Sequence, residues 1–371
     1  MKDRRYRVAL AGYYGFGNLG DELLLRASLE CLERCGLSRE SVVVLSNDPE
    51  GTVRDFSVAA VSRWDLREVR RALASSETLL LGGGGLFQDS TSLRSCLWYW
   101  GLVRLARLCG TRPWALGQSI GPLRTWAARR LTRGALSSCS ILHVRDEPSR
   151  EWAERLGLRA VQGEDLALTL AMPFKDTAEK TTGKLLLNLR PVHEEEMTRF
   201  LALAAPCASV FNGEVIGVAL SDEDRALLEQ MQREGRLRLS CVVLVRGMKD
   251  IAALWHGASA ALGMRLHFAV ISALYGIPLA VLPYDPKVAA FAGRVGAPCL
   301  TSSPDEHPFS SWTAACRPHL PQSQERLRAE VDGLCRSMLG LTGRKQETSS
   351  FIYASKGFPS TAEQMSSARS E

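Results

Sequence analysis

The sequence predicts an α/β protein made of two doubly wound parallel-sheet domains with a cleft between them. Three observations carry this expectation. Short apolar runs alternate with helical patterns through the first half of the chain, as a parallel sheet with crossover helices does. The alternation stops at a polar stretch without apolar periodicity, 174–183, and then restarts. The length, 371 residues, exceeds what one core usually organises.

The elements follow in order. Strands are expected at 7–12, 42–46, 58–61, 78–82, 113–117 and 141–145, with helices between them, for example at 22–34, 66–74, 98–109 and 127–136. After the polar stretch, strands are expected at 184–189, 215–220, 239–245, 260–264 and 279–283, again with helices between them. The chain therefore divides into an N-terminal domain (1–173), a linker (174–183), a C-terminal domain (184–341) and a Ser/Thr-rich tail (342–371) expected to be disordered.

Composition narrows the function. An apolar fraction of 46% supports a sizeable core and excludes global disorder. The formal charge of +6 is spread without blocks, so no nucleic-acid partner is expected. A mild basic excess fits an anionic substrate or an anionic membrane surface. The ten cysteines show no CxxC pair and no histidine spacing for zinc, so no metal site is expected. Cys31 and Cys35 read as packing neighbours on a helix. No signal-like or bilayer-length apolar run occurs, and a cytoplasmic protein with reduced thiols is expected.

The stretch Gly263-Met264-Arg265-Leu266-His267 is the most informative. It follows an apolar strand-like segment and precedes an apolar helical run. A strand-to-helix turn there aims a guanidinium, an imidazole and free helix N–H groups at one point, which suits an anion that must be protonated. Arg190 ends the first strand of the same domain, and strand carboxyl ends share one crevice. Arg246 also ends a strand but reads as a surface cation, and His143, His193 and His256 lack a comparable setting.

Three loops of the N-terminal domain end strands in the same way. In the first, Gly15, Gly17 and Gly20 satisfy GxGxxG, but the next helix opens with Asp21 and Glu22, which would repel a dinucleotide phosphate. Asp21 is either a helix cap or a carboxylate for sugar hydroxyls. Tyr13, Tyr14 and Phe16 are either packing groups or a stacking face for a sugar. The second loop has four glycines, 82–85, followed by Gln88, Asp89, Thr91 and Ser92. The third carries Gln118 and Ser119. Trp98, Tyr99, Trp100 and Trp126, interleaved with arginines, read as core plus solvated face, with peripheral membrane-surface contact as the functional alternative.

Four segments together, 12–22, 81–89 with Thr91 and Ser92, 117–122, and 263–267 with 284–287, resemble the polysaccharide pyruvyl transferase family, in particular its CsaB-type bacterial members. The resemblance runs from the first strand to about Phe291, with departures at Gly85 and Ser119, where the family pattern has serine and glycine. It implies a fold like that of GT-B glycosyltransferases, with a last helix, 323–339, crossing back. It also implies transfer of a pyruvyl group from phosphoenolpyruvate to a hexose as a cyclic ketal. In CsaB-type members the acceptor is a lipid-linked precursor containing N-acetylmannosamine.

On this reading Arg190, Arg265, Leu266 and His267 bind phosphoenolpyruvate, with His267 as general acid. Asp21 is the base or hydroxyl anchor, and Tyr14, Asn18, Asp21, Gly84, Gln88, Asp89 and Gln118 bind the acceptor. Phosphoenolpyruvate is a co-substrate, and no cofactor or metal is required. The competing readings are a nucleotide-sugar glycosyltransferase on the same fold, a non-catalytic sugar- or phosphate-binding module, and an NAD enzyme.

Overall fold

The structure, a computed structural model, describes residues 4–90, 92–172, 183–301 and 321–341, without the side chains of 321–323. Thr91, nearly all of the expected linker and the expected tail lie outside the described residues.

In the N-terminal half, strands β1 (Tyr6–Ala11), β2 (Val42–Ser46), β3 (Ala59–Ser62), β4 (Ser76–Leu81), β5 (Gly84–Phe87), β6 (Arg112–Ile120), β7 (Leu142–Val144) and β8 (Val161–Gln162) form one sheet. The central strands are apolar on both faces because helices cover both sides. The covering helices are α1 (Leu19–Arg34), α2 (Pro49–Phe56), α3 (Leu66–Ala74), α4 (Arg94–Leu108), α5 (Trp126–Leu136) and α6 (Glu147–Arg155). The strand order is β3-β2-β1-β4-β6-β7-β8, with β5 beside β6 and every pairing parallel.

The C-terminal half repeats the plan with β9 (Lys184–Asn188), α7 (Glu194–Val210), β10 (Glu214–Ala219), α8 (Asp222–Arg233), β11 (Cys241–Leu244), α9 (Met248–Trp255), β12 (Ala260–Gly263), α10 (Leu266–Leu274), β13 (Leu279–Val281) and α11 (Pro286–Val295). Its order is β11-β10-β9-β12-β13, again all parallel. Each sheet therefore reverses direction once, at β1/β4 and at β9/β12, and the loops leaving those strands border a crevice.

Two features differ from the sequence expectation. The stretch 84–87 is a strand, because its backbone pairs with an extended β6. That strand runs to Ile120 rather than stopping at 117, so the third expected loop is largely sheet. Helices α2 and α6 lie between strands outside the named helical patterns, and each has an aspartate cap (Asp48, Asp146) and a proline in its first turn.

The last described helix, α12 (Pro321–Leu339), crosses back onto the N-terminal half and packs on α1. Gln324 Nε2 donates to the carbonyls of Leu168 and Leu170, and Arg328 donates to those of Thr169 and Leu170. The apolar core is continuous from α1 through Leu166 and Leu168 to Phe268 and Val270 of α10, so the two halves share packing.

Replacing Gln324 and Arg328 together with alanine should leave four carbonyl contacts unmet. We expect a loss of about 2–4 kcal/mol in urea unfolding, with far-UV circular dichroism of the folded state unchanged.

Candidate active site

The loops at the two switch points enclose a polar cavity of about 210 Å³. Asn18, Asp21 and Gly84 line it from the N-terminal half, and Arg190, Arg265 and His267 from the C-terminal half. Arg145, Tyr284 and Lys287 complete its wall.

His267 sits at the seam. It occupies the first turn of α10, and its ring lies against Gly20 in the first turn of α1. A Cβ on Gly20 would stand 2.1 Å from His267 Nδ1, so only glycine allows this approach. The backbone N–H of Leu19 donates to the carbonyl of Leu220 at 3.2 Å and ties the start of α1 to the turn between β10 and α8 of the C-terminal half. Behind the ring, His267 Nε2 faces Asp165 Oδ2 at 3.6 Å and is buried from solvent. Nδ1 lies on the Gly20 side of the ring, and His267 lines the polar cavity.

Asp165 is itself held by Arg145, whose Nη1 donates to Oδ2 at 2.9 Å. Burial pushes the Asp165 carboxyl up, but the His267 and Arg145 charges more than reverse this and keep it well below the usual carboxylate range. Asp165 therefore stays ionised and orients the imidazole.

The cations around the cavity differ in how free they are. Arg265 caps α10, and its backbone N–H donates to Asn188 Oδ1. Its guanidinium is engaged with the fully buried Asp224 through Nε and Nη2, and with Ser221 Oγ. Lys287 lies 3.1 Å from Asp285. Arg190 instead stacks 4.5 Å above the Tyr284 ring and donates to a hydroxyl, Tyr284 Oη, at 2.8 Å. Among the described residues no carboxylate pairs with Arg190. It is the cation best placed to take an incoming anion, together with the N–H groups opening α10, whose first turn carries no acidic residue.

Asp21 faces these cations from α1. The cap of α1 is Asn18, whose Oδ1 accepts from the Gly20 N–H at 3.2 Å, so Asp21 does not serve as the cap. Asn18 Nδ2 donates to Asp21 Oδ2 at 2.6 Å. Burial raises the Asp21 carboxyl to about 6, against the opposing pull of His267 and Arg145. A half-buried carboxyl held near neutrality beside an anion site can accept a hydroxyl proton. Gly84, at φ +113°, brings its backbone close to Asp21, where a Cβ would lie 3.2 Å from Oδ1. The Gly15 N–H is taken by Glu22 Oε1 at 2.8 Å rather than turned toward a phosphate.

A second cavity, about 920 Å³ and mostly apolar, meets the first at Asp21 and Gly85. The stacked rings of Tyr13 and Phe16 line it, with Trp64 and Trp98. Arg63 lies among Phe16, Trp64, Trp98 and Tyr99 with its charge against their faces, and donates to the Gly12 carbonyl.

Several expected acceptor residues lie elsewhere. Tyr14 is fully buried and packs beneath Gly12 and Gly82, away from both cavities. Gln118 is also buried, and its amide donates to the carbonyls of Leu81, Gly82 and Leu116, tying β4 to β6. Asp89 lines neither cavity. It accepts from the backbone N–H groups of Arg124 and Thr125 and from the Thr125 hydroxyl, anchoring the entry to α5. Gln88 lines the apolar cavity. Leu266 lines the polar one. Arg145, Asp165 and Asp224 were missed. Arg145 follows a strand end and was open to the rule that found Arg190. The two aspartates carried no signal, since both read as ordinary helix-cap or helix-start residues.

Among known proteins, the family model described as polysaccharide pyruvyl transferase matches residues 18–286. None of the curated proteins matches the sequence. Solved structures share the fold at low identity. UDP-GlcNAc 2-epimerase from Neisseria meningitidis bound to UDP-GlcNAc is 12% identical with a TM-score of 0.53, covering 91% of this chain and 100% of that one. The S. aureus MnaA–UDP structure is 10% identical with a TM-score of 0.55, covering 92% and 99%. UDP-GlcNAc 2-epimerase from Methanocaldococcus jannaschii is 10% identical with a TM-score of 0.52, covering 87% and 98%. The architecture, two facing parallel-sheet domains, is thus GT-B-like.

Two outcomes follow from the seam. Gly20→Ala should displace the His267 ring and cost about 1–3 kcal/mol in urea unfolding. Asp21→Asn should do the opposite. Folding raises the Asp21 carboxyl from its ordinary 3.8 to about 6. A raised value favours folding fully below about pH 4, and that favour is lost as pH rises through 6. Asp21→Asn should therefore stabilise the protein at pH 8 by up to about 3 kcal/mol and change little at pH 4. Thermal unfolding at the two pH values checks the difference.

Proposed function

This chain belongs to the polysaccharide pyruvyl transferase family, and on that premise we propose that it moves the pyruvyl group of phosphoenolpyruvate onto two hydroxyls of a hexose, forming a cyclic ketal and releasing phosphate. The observation that carries the donor assignment is the pairing of Arg190 and the open N-terminus of α10 with the His267 imidazole in one small polar cavity. A compact ligand with both a carboxylate and a phosphate needs such cationic groups.

Phosphoenolpyruvate is activated by a proton at C3. His267 donates that proton, and C2 becomes electrophilic. One sugar hydroxyl adds at C2 and gives up its proton, with Asp21 as acceptor. The second hydroxyl displaces phosphate from C2 and its proton leaves with the phosphate. One hydroxyl proton replaces the one spent at C3, so the proton balance closes. Arg190 binds the donor directly. Arg265, held by Asp224, shapes the α10 entry and adds field rather than a free fork. Asn18 positions Asp21, and Asp165 with Arg145 positions His267.

The apolar cavity beside Asp21 supports an acceptor that carries hydrophobic bulk next to its sugar, and we propose a lipid-linked saccharide of the kind found in cell-wall polysaccharide synthesis, with N-acetylmannosamine as the first sugar to test. Among the described residues no helix is long and apolar enough to cross a membrane. We place the reaction in the cytoplasm, at the inner membrane surface, where exposed Trp64, Leu97 and Trp126 would meet lipid.

The test is phosphate release and a matching gain in acceptor mass on incubation with phosphoenolpyruvate and free or lipid-linked hexoses. No release with any acceptor, or tight binding of UDP-sugars with none of phosphoenolpyruvate, overturns the proposal. His267→Ala should lower kcat about 100-fold or more, and Arg190→Ala should raise KM for phosphoenolpyruvate about 10- to 100-fold. Wild-type kcat should rise with pH through about 6 as Asp21 ionises, and pH–rate profiles of wild type and Asp21→Asn check this.

A further inference from the structure

The strongest unassigned cluster lies at the contact between α1 and α12, at the opposite end of α1 from the polar cavity. Cys31 lies in the last turn of α1 and Cys35 caps its C-terminus, and Cys335 comes to them from α12. The three Sγ atoms lie within 4.8 Å of one another. Cys31 Sγ is 3.2 Å from Cys335 Sγ and 3.3 Å from Asp332 Oδ1. Cys31 and Cys335 are buried, and Cys35 is at the edge of the contact, 9% exposed. The expectation that Cys31 and Cys35 are packing neighbours alone omitted the third thiol, which only the crossing helix supplies.

We propose that Cys31, Cys35, Cys335 and Asp332 bind one zinc-like divalent cation that staples the last helix to the first. Three thiolates and one carboxylate oxygen make a four-ligand set of the kind zinc takes. With bonds of about 2.3 Å to sulfur, a tetrahedral site spaces its sulfurs about 3.7 Å apart, so shifts of a few tenths of an ångström to one ångström seat the ion. Asp332 is prepared for the role. Arg34 donates through Nε to Oδ2 at 3.1 Å and through Nη2 to Oδ1 at 2.9 Å. Binding through Oδ1 leaves Oδ2 on Arg34, which orients the carboxylate and offsets part of the negative charge. The edge position of Cys35 gives the ion a way in. Each thiol loses its proton to solvent when the ion binds.

This site is independent of the transfer chemistry, and its readout is metal content. The full chain, purified under reducing conditions, is loaded with zinc, desalted and analysed by mass spectrometry for metal. Cobalt(II) titration then reports thiolate-to-metal charge transfer and the visible bands of a tetrahedral site. The expected result is one equivalent of zinc and a cobalt spectrum with both features. Cys335→Ser and Cys35→Ser should each weaken binding about 100-fold or more, while Cys241→Ser, exposed at the start of β11, should not. Unchanged far-UV circular dichroism shows that the variants fold, and Cys35→Ser, at the edge, covers the case in which Cys335→Ser does not. Wild-type protein that binds no metal while its thiols remain free overturns the proposal. So does a Cys31–Cys335 disulfide found by mass in protein kept reduced, or equal loss of metal in Cys241→Ser.

Discussion

The approach of His267 to Gly20 is the constraint on which the site depends. Two helix N-termini, one from each half of the molecule, meet with only the His267 ring between them. The imidazole fills the space that a Cβ would occupy, and the Leu19–Leu220 backbone hydrogen bond joins the same helix start to the turn between β10 and α8. Everything else in the polar cavity is arranged around this seam. Asp21 comes within reach of the cations only because α1 starts there, and Arg265 and His267 face it only because α10 starts opposite. A fold whose sheets each reverse at a single point makes such a meeting natural, because both reversals open their loops into the same crevice.

Charge is distributed within that crevice so that few groups are left to do chemistry. Buried arginines would be costly alone, and most are balanced from behind: Arg145 by Asp165, Arg265 by Asp224. These pairs fix geometry. They also leave the positive face toward the cavity only partly neutralised, with Arg190 lacking a carboxylate among the described residues. Asp21 is the counterpart, a carboxyl kept near neutrality by burial. The same carboxyl costs stability at neutral pH, which is the usual relation between a poised group and the fold that holds it. A site tuned for stability alone would have an amide there.

Much of this arrangement was legible in the sequence, and the reason is specific. Strand ends are visible as apolar runs, and in an open parallel sheet a polar residue just past a strand end belongs to the crevice. That rule placed Asn18, Asp21, Gly84, Arg190, Arg265 and His267 together. It failed for Tyr14, Gln118 and Asp89, because residue type and position do not show whether a side chain turns outward or is consumed by neighbouring backbone. Gln118 is consumed by three carbonyls, Asp89 by two backbone N–H groups and a hydroxyl. It also missed Asp165 and Asp224, whose importance lies in partners supplied from remote sequence. Arg265 read as a free anchor for the same reason, since nothing local announces a buried carboxylate 41 residues earlier.

The crossing of α12 carries the same lesson into stability. The helix that ends the described chain does not cover the sheet that precedes it. It returns to α1, the helix whose first turn bears Asn18, Gly20 and Asp21. Its hydrogen bonds to the 168–170 carbonyls hold the segment that follows Asp165, and its ion pair to Arg34 holds the far end of α1. Both supports of the seam, the orienting aspartate and the helix carrying the glycine, are therefore braced by one element. A rigid α1 matters because the Gly20–His267 contact tolerates no slack: a rotation of the helix by even part of a turn would bring a side chain where the imidazole now lies. The brace at the back of the molecule and the open chemistry at its front are two ends of the same helix.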